Sequence, residues 1–181
     1  MERFSTMDDT YRSTVGVVAL AVLLVAAGCG QVIGGGPAGP QYQGEASDYL
    51  LTAEEVGDGW TENVTRDPNI NSSRIESGRV IELTNGSADL QITVLVFSSA
   101  ADSGAFLDEQ RQAYNASGLN ATNVSLGDEG IGATVSTGTF LEARQDNVYV
   151  QVVGNVQPKT AEGYVEAQFE KLRVAGGSDD E

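Results

Sequence analysis

At 181 residues, with 40% hydrophobic and 20% charged side chains, the chain has room for one small core once an export segment and a tether are set aside. Twenty-six acidic against ten basic residues give a net charge of -16, a field that repels phosphate backbones and anionic headgroups and argues against nucleic-acid binding. The absence of histidine removes the commonest general base and metal ligand, and a single cysteine excludes an intramolecular disulfide.

Arg3 and Arg12 precede an uncharged run from Val15 to Ala27. As a helix that run spans about 20 Å, short of a bilayer's roughly 30 Å hydrocarbon layer, so it reads as the core of a signal peptide over residues 1–28. Ala26, Ala27 and Gly28 stand directly before Cys29, and this stretch resembles the lipobox of bacterial and archaeal lipoproteins. The resemblance implies cleavage before Cys29, a lipid on its sulfur, and a bilayer as the first partner. Ala26 stands where that motif usually has Leu, and no Arg-Arg pair marks the export route. An uncleaved anchor is the alternative, and it too places the body outside the membrane. One chain holds a protein only marginally, so a two-chain lipid is expected.

Residues 29–47 read as the lipidated cysteine and a flexible Gly- and Pro-rich tether with a reach of roughly 25 Å. Thr52 and Glu55 form a capping-box pattern that predicts a short helix, stopped by Gly57 and Gly59 ahead of a core anchor, Trp60. Val80 to Leu83 and Leu90 to Phe97 read as strands joined at Asn85-Gly86, a strong hairpin signal. Leu90, Ile92, Val94 and Val96 share one face of the longer strand, while Leu95 and Phe97 require cover on the other.

Asp102 reads as the cap of a helix running to about Asn115 and closed by Gly118. Asn120 to Gly132 reads as a loop, its Gly127-to-Gly132 spacing a turn rather than a dinucleotide fingerprint. Ala133 to Ser136 and Thr139 to Ala143 resume extended structure, and Asp146-Asn147 turns the chain into Val148 to Val153. Pro158 ends that strand, and Thr160 reads as the cap of a last helix with an apolar stripe through Ala161, Val165, Phe169 and Leu172. The order predicts α+β: a single domain over residues 48–174, with a mainly antiparallel sheet of about five or six strands flanked by helices. Residues 175–181 read as an acidic tail.

Six of the nine asparagines, Asn63, Asn71, Asn85, Asn115, Asn120 and Asn123, stand in N-x-S/T triplets and are candidate N-glycosylation sites. Only Lys159 and Lys171 supply lysine, and high acidity with so little lysine suits concentrated salt, where screening removes self-repulsion. No catalytic or metal site and no cofactor is expected. Serines and threonines lack an activating base, and Glu54-Glu55 and Asp128-Glu129 read as a capping box and an acidic loop, without the register of a calcium loop. A carboxylate-based hydrolase remains the minor reading, and a two-lobed solute-binding protein does not fit one core of this size.

The segments LLTAEEVGDGW, LQITVLVFSSAADSGAFLDEQRQAY, LGDEGIGA and FLEARQDNVYVQVVGN resemble small surface lipoproteins of halophilic archaea and actinobacteria, similar to the PsbP-like α/β/α sandwich. The resemblance covers roughly residues 50–172. It implies a non-enzymatic, lipid-anchored module at the outer face of the membrane that binds or senses a ligand. The alternative is a structural or interaction protein of the envelope without a small-molecule ligand.

Overall fold

Hydrophobic alternation builds the centre of the fold. In the computed structural model, which describes residues 42–176, β2 (Ile75–Thr84), β3 (Asp89–Phe97), β6 (Gly138–Gln145) and β7 (Val148–Gly154) form the middle of an antiparallel sheet. The other strands are β1 (Thr61–Arg66), β4 (Thr122–Val124) and β5 (Glu129–Val135), and the spatial order is β1-β2-β3-β7-β6-β5-β4. Helices α1 (Ala46–Tyr49) and α4 (Pro158–Gly176) pack on one face, and α3 (Ala100–Ala116) packs on the other; α2 (Ala53–Val56) follows α1.

The two-sided burial expected of β3 is present. Leu90, Ile92, Val94 and Val96 join Val148, Val150 and Val152 beneath Ala161, Val165, Phe169 and Leu172 of α4. Leu95 and Phe97 face Phe106 and Leu107 of α3. Each such side chain, taken from water to full burial, contributes about 1.5–3 kcal/mol, so the two layers are held chiefly by β3 and β7. Thr52 and Glu55 make both halves of the capping box, at 3.4 and 2.7 Å. Trp60 packs edge-on against Tyr164 at the margin of the core. The Asn85-Gly86 turn closes the β2–β3 hairpin, with Gly86 in the left-handed region at φ 82°.

Several boundaries differ from expectation. Seven strands form, not five or six, because β1 and β4 lie at the sheet edges and carry almost no apolar pattern. The stretch expected as a loop from Asn120 to Gly132 holds β4 and the start of β5. There Gly130 and Gly132 are strand residues: a Cβ would stand 2.9 Å from Val124 at the first and 2.6 Å from Leu141 at the second. Ser99, not Asp102, caps α3, its hydroxyl accepting from the Asp102 amide at 3.1 Å. The last helix starts at Pro158, where the missing N–H costs nothing, and Thr160 lies inside it.

The end of the expected tether belongs to the domain. Tyr42 and Ala46 are buried, and the amide side chain of Asn147 bonds both backbone groups of Tyr42 at 2.9 Å. Gln168 of α4 likewise accepts from the Leu51 amide at 3.1 Å and donates to the Tyr49 carbonyl. Gly176, at the other end of the described region, approaches the Tyr42 ring so closely that a Cβ there would lie 2.8 Å from it. Cys29, the expected signal peptide over residues 1–28 and the acidic end of the expected tail lie outside the described residues. Among the described residues no helix is long and apolar enough to cross a membrane.

Candidate functional site

The cover that α3 gives the sheet changes character along its length. Ser103, Phe106, Leu107, Gln110 and Tyr114 face inward at helical spacing. The first half seals an aromatic cluster, with Phe106 5.2 Å from Phe97 and 5.0 Å from Tyr149. The second half lies over polar side chains that strand alternation points the same way, Glu142 of β6 opposite Gln151 of β7, which is itself opposite Thr93 of β3.

Glu142 is fully buried. Its Oε1 accepts from the Tyr114 hydroxyl at 2.5 Å and from the Gln151 amide at 2.8 Å, so one carboxyl joins α3, β6 and β7. The Tyr149 phenol faces the same group. Burial pushes the Glu142 carboxyl up, and the donors Tyr114, Gln151 and Tyr149 pull against it without restoring its ordinary value. Burial, with the carboxyl beside them, pushes both phenols up as well, which keeps them as donors. Oε2 of Glu142 and Nε2 of Gln110 have no hydrogen-bond partner among the described residues. Unsatisfied buried polar atoms on facing elements are uncommon in folded proteins and mark strain, water or a functional site.

The charges at the next register are paired, although Nε of Arg111 and Nε of Arg144 have no hydrogen-bond partner among the described residues. Arg111 of α3 bonds Glu129 at 2.6 Å and also pairs with Asp108. Arg144 lies 3.6 Å from Glu129 and 3.5 Å from Asp128. The Asp128-Glu129 loop is thus held by two guanidiniums and by the Asp146 amide, which donates to Asp128 at 2.6 Å. Among the described residues no group of three or more acidic, cysteine or histidine side chains could hold a metal ion. What the Glu142 cluster can do is exchange hydrogen bonds and a proton. It presents no activated nucleophile.

Elsewhere the surface offers two open depressions. One, of about 540 Å³, lies between Leu51, Glu55, Lys171 and Val174. The other, of about 500 Å³, lies between Asp67, Ile75, Ser77 and Arg79. The six sequon asparagines are all exposed and do not converge on one place. Asn63 and Asn123 stand on the two edge strands, Asn85 in the β2–β3 turn, Asn115 in the last turn of α3, Asn71 before β2 and Asn120 before β4.

No protein-family model matches this chain, and no curated protein does. Among solved structures it is similar to the extracellular domain of PknH from Mycobacterium tuberculosis. The identity is 12%, the match covers 75% of this chain and 100% of that one, and the TM-score is 0.58. At that identity the likeness is one of fold.

The Glu142 cluster was not among the sites expected from sequence. In FLEARQ the alternation reads as a strand with a solvated polar face, and only a helix lying over that face makes Glu142 unusual. The signal available was Tyr114, an aromatic residue in line with Phe106, Leu107 and Gln110 on α3.

Proposed function

We propose that this chain is an exported lipoprotein, held at the outer face of a cell membrane through Cys29, whose domain is a non-enzymatic binding or sensing module. The observation that carries the sensing part is the bed beneath α3, where a buried carboxyl and an amide keep unpartnered atoms under a helix that could be lifted. The fold likeness to an extracellular domain agrees with this reading. The Ala26-Ala27-Gly28-Cys29 stretch supplies the anchor. The proposal includes the kinship with halophile and actinobacterial surface lipoproteins of PsbP-like architecture, to which the three-layer arrangement is congenial.

A thermal-shift screen with small metabolites and envelope components tests the binding reading, and a midpoint that nothing moves removes it. Mass spectrometry of membrane-extracted protein tests the rest. A mass equal to the uncleaved chain ends the lipoprotein assignment, and polypeptide plus lipid alone ends the glycan assignment.

A second reading, an envelope interaction protein without a small ligand, is favoured by the sheet edges. All six residues of β1 are exposed and its outer rim pairs with no described strand. Cross-linking in intact cells that recovers no specific neighbour counts against it.

A further inference from the structure

The geometry points to Glu142 as a proton-operated latch: the C-terminal half of α3 closes over the neutral carboxyl, and loss of the proton, which leaves a buried charge in need of water, releases that half. This assigns a regulation to the site proposed above and rests on that reading for its biological purpose; its physics needs no ligand.

Four observations carry it. Glu142 is fully buried, its bonds from Tyr114 and Gln151 converge on one oxygen, and although the Tyr149 phenol faces the group, Oε2 has no hydrogen-bond partner among the described residues. A carboxylate formed there has no counter-charge bonded to it. The groups facing it are Tyr114, Gln110 and Arg111 from α3, Tyr149 and Gln151 from β7, Glu129 from β5, and Arg144 on its own strand. Both guanidiniums are committed to Glu129, Asp108 and Asp128, and neither bonds Glu142. The protein's overall charge of -16 adds to the disfavour of a further buried negative charge.

The two halves of α3 are also unequally held. Its first half is fixed by Phe106 and Leu107 in the aromatic cluster and by Ser103, whose hydroxyl donates to the Asp146 carbonyl at 2.6 Å. The buried contacts of its last two turns with the sheet come from Gln110 and Tyr114; the other ties are the partly exposed ion pairs of Arg111 with Glu129 and of Glu109 with Arg74, and Asn115, Ala116 and Ser117 are exposed. A segment anchored by so few buried contacts belongs to the low-stability end of a fold. When the carboxyl ionises, lifting this half admits water to Oε2 and to the Gln151 amide beside it. Burial raises the pH at which Glu142 loses its proton, which moves the switch above the range of ordinary carboxylates.

The test is hydrogen exchange of α3 in the full chain between about pH 5 and about pH 9, corrected for intrinsic exchange, alongside the carboxyl carbon resonance of Glu142. In the wild type, protection of residues 108–116 is expected to fall at least about tenfold as that resonance titrates, while residues 103–107 stay protected. Glu142→Gln is expected to show no such step. Equal pH dependence in the two proteins overturns the latch. Should Glu142→Gln fail to fold, the wild type alone decides: a carboxyl that titrates with no change in α3, or at an ordinary carboxylate pH, also overturns it. Tyr114→Phe, which removes a donor to the carboxyl, is expected to raise the titration midpoint and loosen residues 108–116 at every pH. A flat ligand screen with the exchange step intact would remove the binding reading and leave the latch standing.

Discussion

The side chain of Asn147 grips the backbone of Tyr42 across 105 residues of sequence, accepting from its N–H and donating to its C=O, each at 2.9 Å. The same Nδ2 donates to the Phe97 carbonyl at 2.8 Å. Asn147 is fully buried, so Asn147→Ala leaves several backbone groups unpaired in the interior. The expected loss is about 2–5 kcal/mol, read as a lower urea midpoint at an unchanged slope. A change below about 0.5 kcal/mol would show that water replaces the side chain without cost.

Glu142 dictates a direction for stability against pH. Its carboxyl lies above its ordinary 4.5 in the folded protein, so the unfolded chain gives up the proton first as pH rises. The stability linked to this group is complete below the ordinary value and is lost as pH climbs through the folded one, by at most about 1.4 kcal/mol per pH unit. Other carboxyls titrate too, Glu55 among them with the opposite sign because its carboxyl is lowered, burial being outweighed by the Lys171 and Thr52 bonds. The diagnostic is therefore the difference between wild type and Glu142→Gln. It is expected to grow in favour of the variant from about pH 4.5 upward, and a difference that stays level contradicts the raised carboxyl.

Much of this fold is readable from residues that act on near neighbours. The capping box at Thr52 and Glu55, the Asn85-Gly86 hairpin, the stripe of α4 and the two-faced burial of β3 all depend on spacing within one element. What escapes is long-range. Strand β1 reads TENVTR and owes its conformation to pairing with β2, not to its own composition. Gly130 and Gly132 read as punctuation and turn out to make room for Val124 and Leu141. Asn147 reads as a turn residue, and nothing adjacent announces that its amide will hold Tyr42. Glu142 is the extreme case: its chemistry exists only once α3 covers it.

Salt is expected to stabilise the protein. With -16 of net charge, self-repulsion works against compactness until it is screened, over about 10 Å at 0.1 M and about 3 Å at 1 M. The melting midpoint is expected to rise by at least about 5 °C between about 0.1 M and about 2 M potassium chloride. A flat or falling midpoint would remove the high-salt reading of the composition.

Gly127 combines two demands on one position. Its φ is 59°, and a Cβ there would stand 2.3 Å from the Arg144 carbonyl oxygen and 2.8 Å from the Phe169 ring. Gly127→Ala therefore meets both the left-handed penalty and a backbone clash, with an expected cost of about 2–4 kcal/mol in chemical unfolding. Gly86, also at positive φ but with nothing within 4 Å of its ideal Cβ, is the control. Gly86→Ala is expected to cost about 1 kcal/mol.

The nearness of Tyr42 to Gly176 bears on how the domain carries load. Tension arriving through the residues ahead of Tyr42 meets the fold at the turn between β6 and β7, beside the middle of the sheet, and is resisted first by the Asn147 amide. Because the last turn of α4 ends at the same spot, a tug there loads the side chains around Tyr42 before it can peel either exposed rim.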